Sequence, residues 1–214
     1  MSRLFMIIAG ILCICGCGGG GGGGNSNAFI VQIQSQRVSP KTRSIKSGDS
    51  VQWVNTDTNP HQVVSGTLDK VPNPVTLSEI VIRPDNTFQP STLEGNFGDT
   101  VVWRNATGSD FTMDILDDSG TVAATLTFTN GEVKGYSQFE TAGKYTAQKR
   151  GNVFFSGTFT LFGIPNPSGT FQSNVLINGG TFTRKFTGTG TLSYYILNPE
   201  DVDKSFITGS IVVQ

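Results

Sequence analysis

Few side chains in this sequence can hold a metal, attack a substrate or carry a covalent group, and they are unevenly spread. There is one histidine, His61, directly after Pro60. The cysteines are Cys13, Cys15 and Cys17, and none occurs from Gly18 to Gln214. That distribution removes a thiol nucleophile, a Cys-Xaa-Xaa-Cys redox pair, an iron–sulfur site, a zinc ribbon and a disulfide framework from the body of the chain. Carboxylates gather in one loop-like stretch, Glu200-Asp201-Val202-Asp203-Lys204. If that stretch folds over His61, the pair offers a weak copper or zinc site. It also offers oxygens to calcium, but its spacing is not that of an EF-hand loop, and a solvated turn is the simpler reading. A Ser-His-Asp arrangement would have to use His61, and no Gly-Xaa-Ser-Xaa-Gly elbow, Walker loop or dinucleotide fingerprint is present. The sequence therefore points away from an enzyme. A net charge of −1 over 214 residues gives no reason to expect nucleic acid as a partner.

Residues 1–17 read as a secretory signal. Arg3 is its charge, and the apolar stretch from Leu4 to Ile14 is shorter than the roughly 17–25 residues that cross a bilayer. It ends in Ile14-Cys15-Gly16-Cys17, which resembles a bacterial lipobox. The resemblance implies cleavage before Cys17, acylation of Cys17, and a protein held at the cell envelope by lipid. If the cell has two membranes, Gly18 after the acceptor implies the outer one. Residues 18–27, led by the run Gly18 to Gly24, have no side chains to bury and read as a tether.

The remainder must supply the elements that position any site. It alternates β-branched and aromatic residues with polar ones in short runs, as in Val51-Gln52-Trp53-Val54-Asn55 and Val101-Val102-Trp103-Arg104-Asn105. Period-two alternation predicts half-buried strands, and frequent Gly, Asn, Asp and Pro predict turns between them. Asp117-Asp118-Ser119-Gly120 reads as a hairpin turn. Lys149-Arg150 reads as a solvated pair of charges, and Trp53, Trp103, Phe154, Phe155, Phe159 and Phe162 as core. The fold class is all-β.

The chain also repeats. Gly48-Asp49-Ser50-Val51-Gln52-Trp53-Val54-Asn55 returns as Gly98-Asp99-Thr100-Val101-Val102-Trp103-Arg104-Asn105, with Pro40 and Pro90 at the same offset. Closing segments repeat as well: Phe139 to Tyr145 with Ser156 to Leu161, and Phe186 to Tyr194 with Thr208 to Val213. Two front halves followed by two back halves imply one domain inserted in another, not a tandem array. The expected division is a host domain of residues 28–72 and 167–214 around an insert of residues 73–166. Val71-Pro72-Asn73-Pro74 and Ile164-Pro165-Asn166-Pro167 are its expected hinges.

The front motif, Gly-Asp-Xaa-Val-Xaa-Trp-Xaa-Asn leading into Pro60-His61, resembles the cupredoxins, the plastocyanin- and azurin-like copper sandwiches. Gly179-Gly180-Thr181-Phe182, Phe186, Gly190 and Tyr194-Tyr195 continue the resemblance. It implies two cupredoxin-like Greek-key β-sandwiches, one inserted into the other, and a type 1 copper site of two histidines, a cysteine and an axial methionine. In the host that resemblance places His61 at the first histidine, Ile196 at the cysteine, Leu197-Asn198-Pro199 at the second histidine and Ile207 at the methionine. In the insert it places Phe111, Lys149, Asn152 and Phe155 there. The expectation is an envelope lipoprotein attached through Cys17, non-catalytic, without a cofactor, binding an unidentified protein or glycan. The alternative is weak copper handling at His61, with copper-dependent electron transfer disfavoured.

Overall fold

The computed structural model describes residues 28–85, 87–202 and 204–214, and every regular element among them is a strand. The first five are β1 (Phe29–Gln34), β2 (Arg37–Ser39), β3 (Thr42–Ile45), β4 (Ser50–Asn55) and β5 (Gln62–Asp69). Five more are β6 (Thr76–Ile82), β7 (Phe88–Gln89), β8 (Thr92–Asn96), β9 (Thr100–Asn105) and β10 (Phe111–Leu116). Then come β11 (Val122–Phe128), β12 (Val133–Tyr136), β13 (Gly143–Lys149) and β14 (Asn152–Phe162). The chain closes with β15 (Ile164–Gln172), β16 (Thr181–Lys185), β17 (Gly190–Leu197) and β18 (Ile207–Val213).

Sheet order fixes the topology. One sandwich pairs a sheet of order β16-β4-β1-β2 with one of order β15-β5-β17-β18-β3. The other pairs β12-β9-β6-β7 with β11-β10-β13-β14-β8. The second uses only β6 to β14, and the first uses the strands on either side, so one sandwich is inserted into the other. The two orders correspond strand for strand: β4 to β9, β5 to β10, β17 to β13 and β18 to β14. Strands that touch are mostly not consecutive, the Greek-key arrangement. Among them β1 lies parallel to β4 and β6 parallel to β9.

The repeated octad explains itself at each position. Gly48 and Gly98 have φ of 96° and 113°, a conformation that glycine adopts without a Cβ penalty. The next residue closes the turn: Asp49 accepts the Lys46 amide at 2.8 Å, and Asp99 accepts the Asn96 amide at 2.7 Å. Alternation then buries Val51, Trp53 and Asn55, and likewise Val101, Trp103 and Asn105. Trp53 packs on Phe171, Phe182, Phe186 and Tyr194, with centroids 5.3–6.3 Å apart, and Trp103 on Phe159 at 5.7 Å. Both tryptophans are core, as expected. Asp117 closes its hairpin turn by accepting the Ser119 and Thr121 amides at 2.9 Å each.

The host sheet with β5 and β17 is buried on both faces. Val63, Tyr194 and Ile196 point into the host core, while Val64, Leu68 and Tyr195 join the core of the insert. Adjacent apolar residues such as Val63-Val64 and Tyr194-Tyr195 follow from this, since a strand covered on both sides has no polar face to alternate with. Lys41 to Asp118 at 2.5 Å and Lys144 to Gln36 at 2.6 Å add polar contacts between the two units.

Two expectations are corrected. Ile164-Pro165-Asn166-Pro167 is not a hinge but the first part of β15, with Ile164 opposite Asp69 and Pro167 opposite Gly66. The expected boundary between residues 166 and 167 therefore falls inside a strand. Proline is tolerated there because β15 is at the sheet edge, where an absent N–H breaks no ladder. The insert is thus joined on this side by a hydrogen-bonded ribbon. Phe155 and Phe159 are buried as expected, but Phe154 is 92% exposed. Consecutive residues on a strand point to opposite faces, so a Phe-Phe pair cannot both enter one core.

The ribbon has no room at Gly66. Its φ is 139°, and a Cβ there would meet the Asn166 carbonyl oxygen at 2.1 Å. Gly66→Ala should cost about 2–5 kcal/mol, adding backbone strain to overpacking. Gly48→Ala, where a Cβ meets nothing within 4 Å, should cost about 1–2 kcal/mol, from backbone strain alone. Urea unfolding of the two variants checks the contrast.

Candidate functional site

The site grows from the end of β4. Asn55 is buried, and its Nδ2 donates to the carbonyls of Asn59 and Leu176, both at 2.8 Å. Its Oδ1 accepts the Asp57 amide at 2.9 Å. One side chain thus clamps the loop leading to His61 against the loop before β16. Asn105 does the same in the insert, donating to Ser109 and Thr129 and accepting from Thr107. This is why the octad ends in asparagine: an amide supplies donors and an acceptor at once. His61 then exchanges backbone hydrogen bonds with Leu176, donating at 3.0 Å and accepting at 2.7 Å.

His61 is 5% exposed, and its Nε2 lies 2.8 Å from Oδ2 of the buried Asp57. A carboxylate only accepts, so Nε2 carries the proton and donates. Nδ1 is buried and has no hydrogen-bond partner. Burial pushes the Asp57 carboxyl up, but the hydrogen bond from His61 and that from the Thr58 amide outweigh it, and the net shift is below the ordinary carboxylate value. Asp57 was not foreseen from the sequence. The signal available was its spacing, four residues before the one histidine within a turn-forming stretch.

A cavity of about 260 Å³ lies beside this pair. His61, Ile196, Asn198 and Ile207 line it, so the structure brings together the host positions that the cupredoxin resemblance aligned. The insert also contributes, through Glu94 and Phe162. Of the acidic loop, Asp201 lines the cavity and Glu200 does not, while Asp203 lies outside the described residues. Lys204 lines it too, with Nζ 3.4 Å from Glu94 and 5.6 Å from the Phe162 ring. The polar lining is therefore one imidazole, two amides (Asn59 and Asn198), a hydroxyl (Ser35), two carboxylates and an ammonium group, between isoleucine and phenylalanine walls. Among the described residues, no group of three or more His, Cys, Asp or Glu side chains is placed to hold a metal.

The corresponding positions in the insert also meet, except for one. Phe111 and Phe155 are buried with ring centroids 5.2 Å apart, and Lys149 Nζ lies 5.8 and 5.9 Å from those rings. Asn152 is exposed and accepts the Phe154 amide at 3.1 Å. Arg150, expected to be simply solvated, holds Asp114 at 2.7 Å; its hydrogen bonds, with that from Thr125, lower the Asp114 carboxyl. Cys17, the expected lipid-attachment residue, lies outside the described residues.

No family model matches the chain. Nor does any curated protein. Among solved structures, the chain is similar to a purple cupredoxin from Nitrosopumilus maritimus. Identity is 22%, over 40% of this chain and 99% of that one, with a TM-score of 0.36. A mutant of amicyanin in the Cu(I) form is 15% identical over 47% of this chain and 98% of its own, at a TM-score of 0.33. A Cu-containing nitrite reductase from Thermus scotoductus is 8% identical over 87% and 99%, at 0.27. The two-sandwich architecture itself is fixed by the strand order of the four sheets.

Removing Asp57 tests the geometry around His61. Asp57→Ala leaves a buried N–H without an acceptor and should cost about 1–3 kcal/mol at pH 7. A lowered carboxyl contributes stability above its unfolded-state value, and that contribution is lost as pH falls through the folded-state value. The gap between wild type and variant should therefore narrow below about pH 4. Thermal melts across pH 3–7 read it.

Proposed function

We propose that this chain is a lipid-anchored protein of the bacterial cell envelope, whose two sandwiches form a non-catalytic binding module that does not use type 1 copper. The observation that carries the second half is the donor chemistry at the aligned positions. A type 1 site requires a thiolate and two imidazoles, because sulfur donation sets its electronic structure. In the host those positions offer one imidazole, an amide and two isoleucines. In the insert they offer a phenylalanine pair under a lysine. The residues do not fit the metal in either sandwich, and electron transfer through such a site is not part of this reading. An unidentified protein or glycan, and not nucleic acid, is the partner class, consistent with the near-neutral charge.

Anchoring rests on the sequence alone. Ile14-Cys15-Gly16-Cys17 ends an apolar stretch and is followed by a glycine tether, and acylation at Cys17 would leave residues 28–214 outside the bilayer. An outer-membrane position, if the producing cell has two membranes, follows from the same segment.

One observation favours a second reading, weak Cu(II) or Zn(II) binding at the host cavity. His61 Nδ1 is buried without a partner, and His61 lines the same cavity as Asp201 and Glu94. Lys204 opposes it, since an ammonium group in the cavity repels a cation.

Two measurements separate these readings. Cys17→Ala should release the protein from the membrane fraction, and retention of the variant there would overturn the anchor. Titration with Cu(II) should give no intense visible charge-transfer band and no stoichiometric site that is lost in His61→Ala. A His61-dependent site without that band would favour the second reading, and the band itself would overturn the first.

A further inference from the structure

The end of the host sandwich away from His61 carries four cationic side chains, and it is the end where the described chain begins. β4 runs from Ser50 to Asn55, and Asn55 holds the His61 loop. At the Ser50 end, Ser50 pairs with Lys185 and Val51 with Arg184 across β16, and Val51 pairs with Phe29 across β1. The Lys46–Asp49 turn is tied to the same place. Gly48 donates to the Phe186 carbonyl at 2.7 Å, and the Ser47 hydroxyl donates to that of Thr187 at 2.8 Å. Arg43 lies 5.7 Å from the Phe29 ring and donates to the Ile30 carbonyl.

Arg43, Lys46, Arg184 and Lys185 therefore share one end, and none of them has a carboxylate within ion-pair distance among the described residues. The half-exposed carboxylate of Asp49 accepts the Lys46 amide and is the one acidic side chain of this turn. Phe29 and Ile30 are exposed on the same edge. Beside them, Arg184, Lys185, Thr187, Thr189 and Thr191 line an open hollow of about 340 Å³. The chain as a whole has a net charge of −1, so this is a polarised distribution and not a generally basic protein.

We infer that this end docks against the anionic phospholipid surface to which the chain is tethered, with the exposed Lys46 and Lys185 facing the headgroups, the half-buried Arg43 and Arg184 (the latter over the Phe171 ring) adding charge behind them, and Phe29 and Ile30 at the interface. The inference rests on the anchor at Cys17 proposed above. Ten residues separate Cys17 from Ala28, a covalent reach of at most about 35 Å, and the described chain starts at this patch, with Phe29 opposite Val51. Surface attraction decays over about 8–10 Å, and anchoring within that reach raises the effective concentration of the patch at the surface, so weak attraction suffices for contact. Each cation near an anionic surface strengthens contact about fivefold. The cavity beside His61 then faces away from the membrane, toward the partner.

The test uses the full-length acylated protein in vesicles of phosphatidylcholine alone and of phosphatidylcholine with phosphatidylglycerol. Amide exchange at residues 46–49 and 184–189 should slow about tenfold on the anionic vesicles only. High salt, or Lys46→Gln with Lys185→Gln, should return it to the neutral-vesicle rate. Equal exchange on both vesicles overturns the inference. So does protection centred on residues 152–155, where the exposed Phe154 would be the membrane contact instead. The mass of the N-terminal peptide reports acylation separately. Unmodified Cys17 defeats the anchor and the inference with it, whereas acylated Cys17 with unchanged exchange defeats the inference alone.

Discussion

Double burial of one sheet organises the molecule. Because Val63 and Tyr194 belong to one core and their neighbours Val64 and Tyr195 to the other, β5 and β17 serve both sandwiches at once. A one-residue slip in their pairing would exchange the two sets of side chains between cores of different shape. The register is thereby specified twice, and so is the placement of the insert. The ribbon of β5 and β15 follows from the same constraint, since Leu68 reaches the core of the insert only by continuing β5 past Gly66. The site near His61 is downstream of this. Its cavity takes Phe162 and Glu94 from the insert, and they face His61 because the shared sheet holds the insert there.

The duplicated sandwich shows how one framework fills the same end in two ways. Asn55 and Asn105 clamp equivalent loops with equivalent hydrogen bonds. Past the clamp the two sandwiches diverge. In the insert, Phe111 and Phe155 close the space with aromatic surface, and Lys149 spreads its charge over both rings. In the host, Ile196 and Ile207 at the matching positions leave a cavity, and an imidazole tied to Asp57 borders it. Aromatic packing leaves no polar atom to satisfy, while the imidazole arrangement leaves Nδ1 buried without a partner. The two ends thus differ in capacity for binding although their scaffolds match.

Much of the fold was legible because it depends on local rules. The Gly-Asp turn, the Trp at the next inward position and the closing Asn each have one physical job, and their repetition fifty residues on announced the insertion. The residues lining the His61 cavity were legible only through the cupredoxin resemblance, as Ile196 and Ile207 carry no chemical signal of their own. Asp57 was missed because an acid in a Thr- and Asn-rich turn ordinarily faces water, and its inward position depends on His61 being buried beside it. Ile164 to Pro167 was misread because two prolines suggest an interruption, and only the partner strand shows that an edge accommodates them. Phe154 was misread because composition ignores which face of the strand each residue occupies.

The interrupted chain order has a consequence for how the protein is made. The parallel pairing of β3 with β18 joins Thr42 to Ser210, so the host sheet closes only when nearly the whole chain has been synthesised. The insert is continuous from β6 to β14 and can collapse earlier, but Tyr195, one of its core residues, arrives with the last part of the host. Until then its surface remains partly uncovered. Pairings of such long sequence separation make folding slow, and a chain exported unfolded would meet that delay outside the cytoplasm. The arrangement that makes the finished molecule a single cooperative body therefore exposes an incomplete hydrophobic surface longest during its biogenesis.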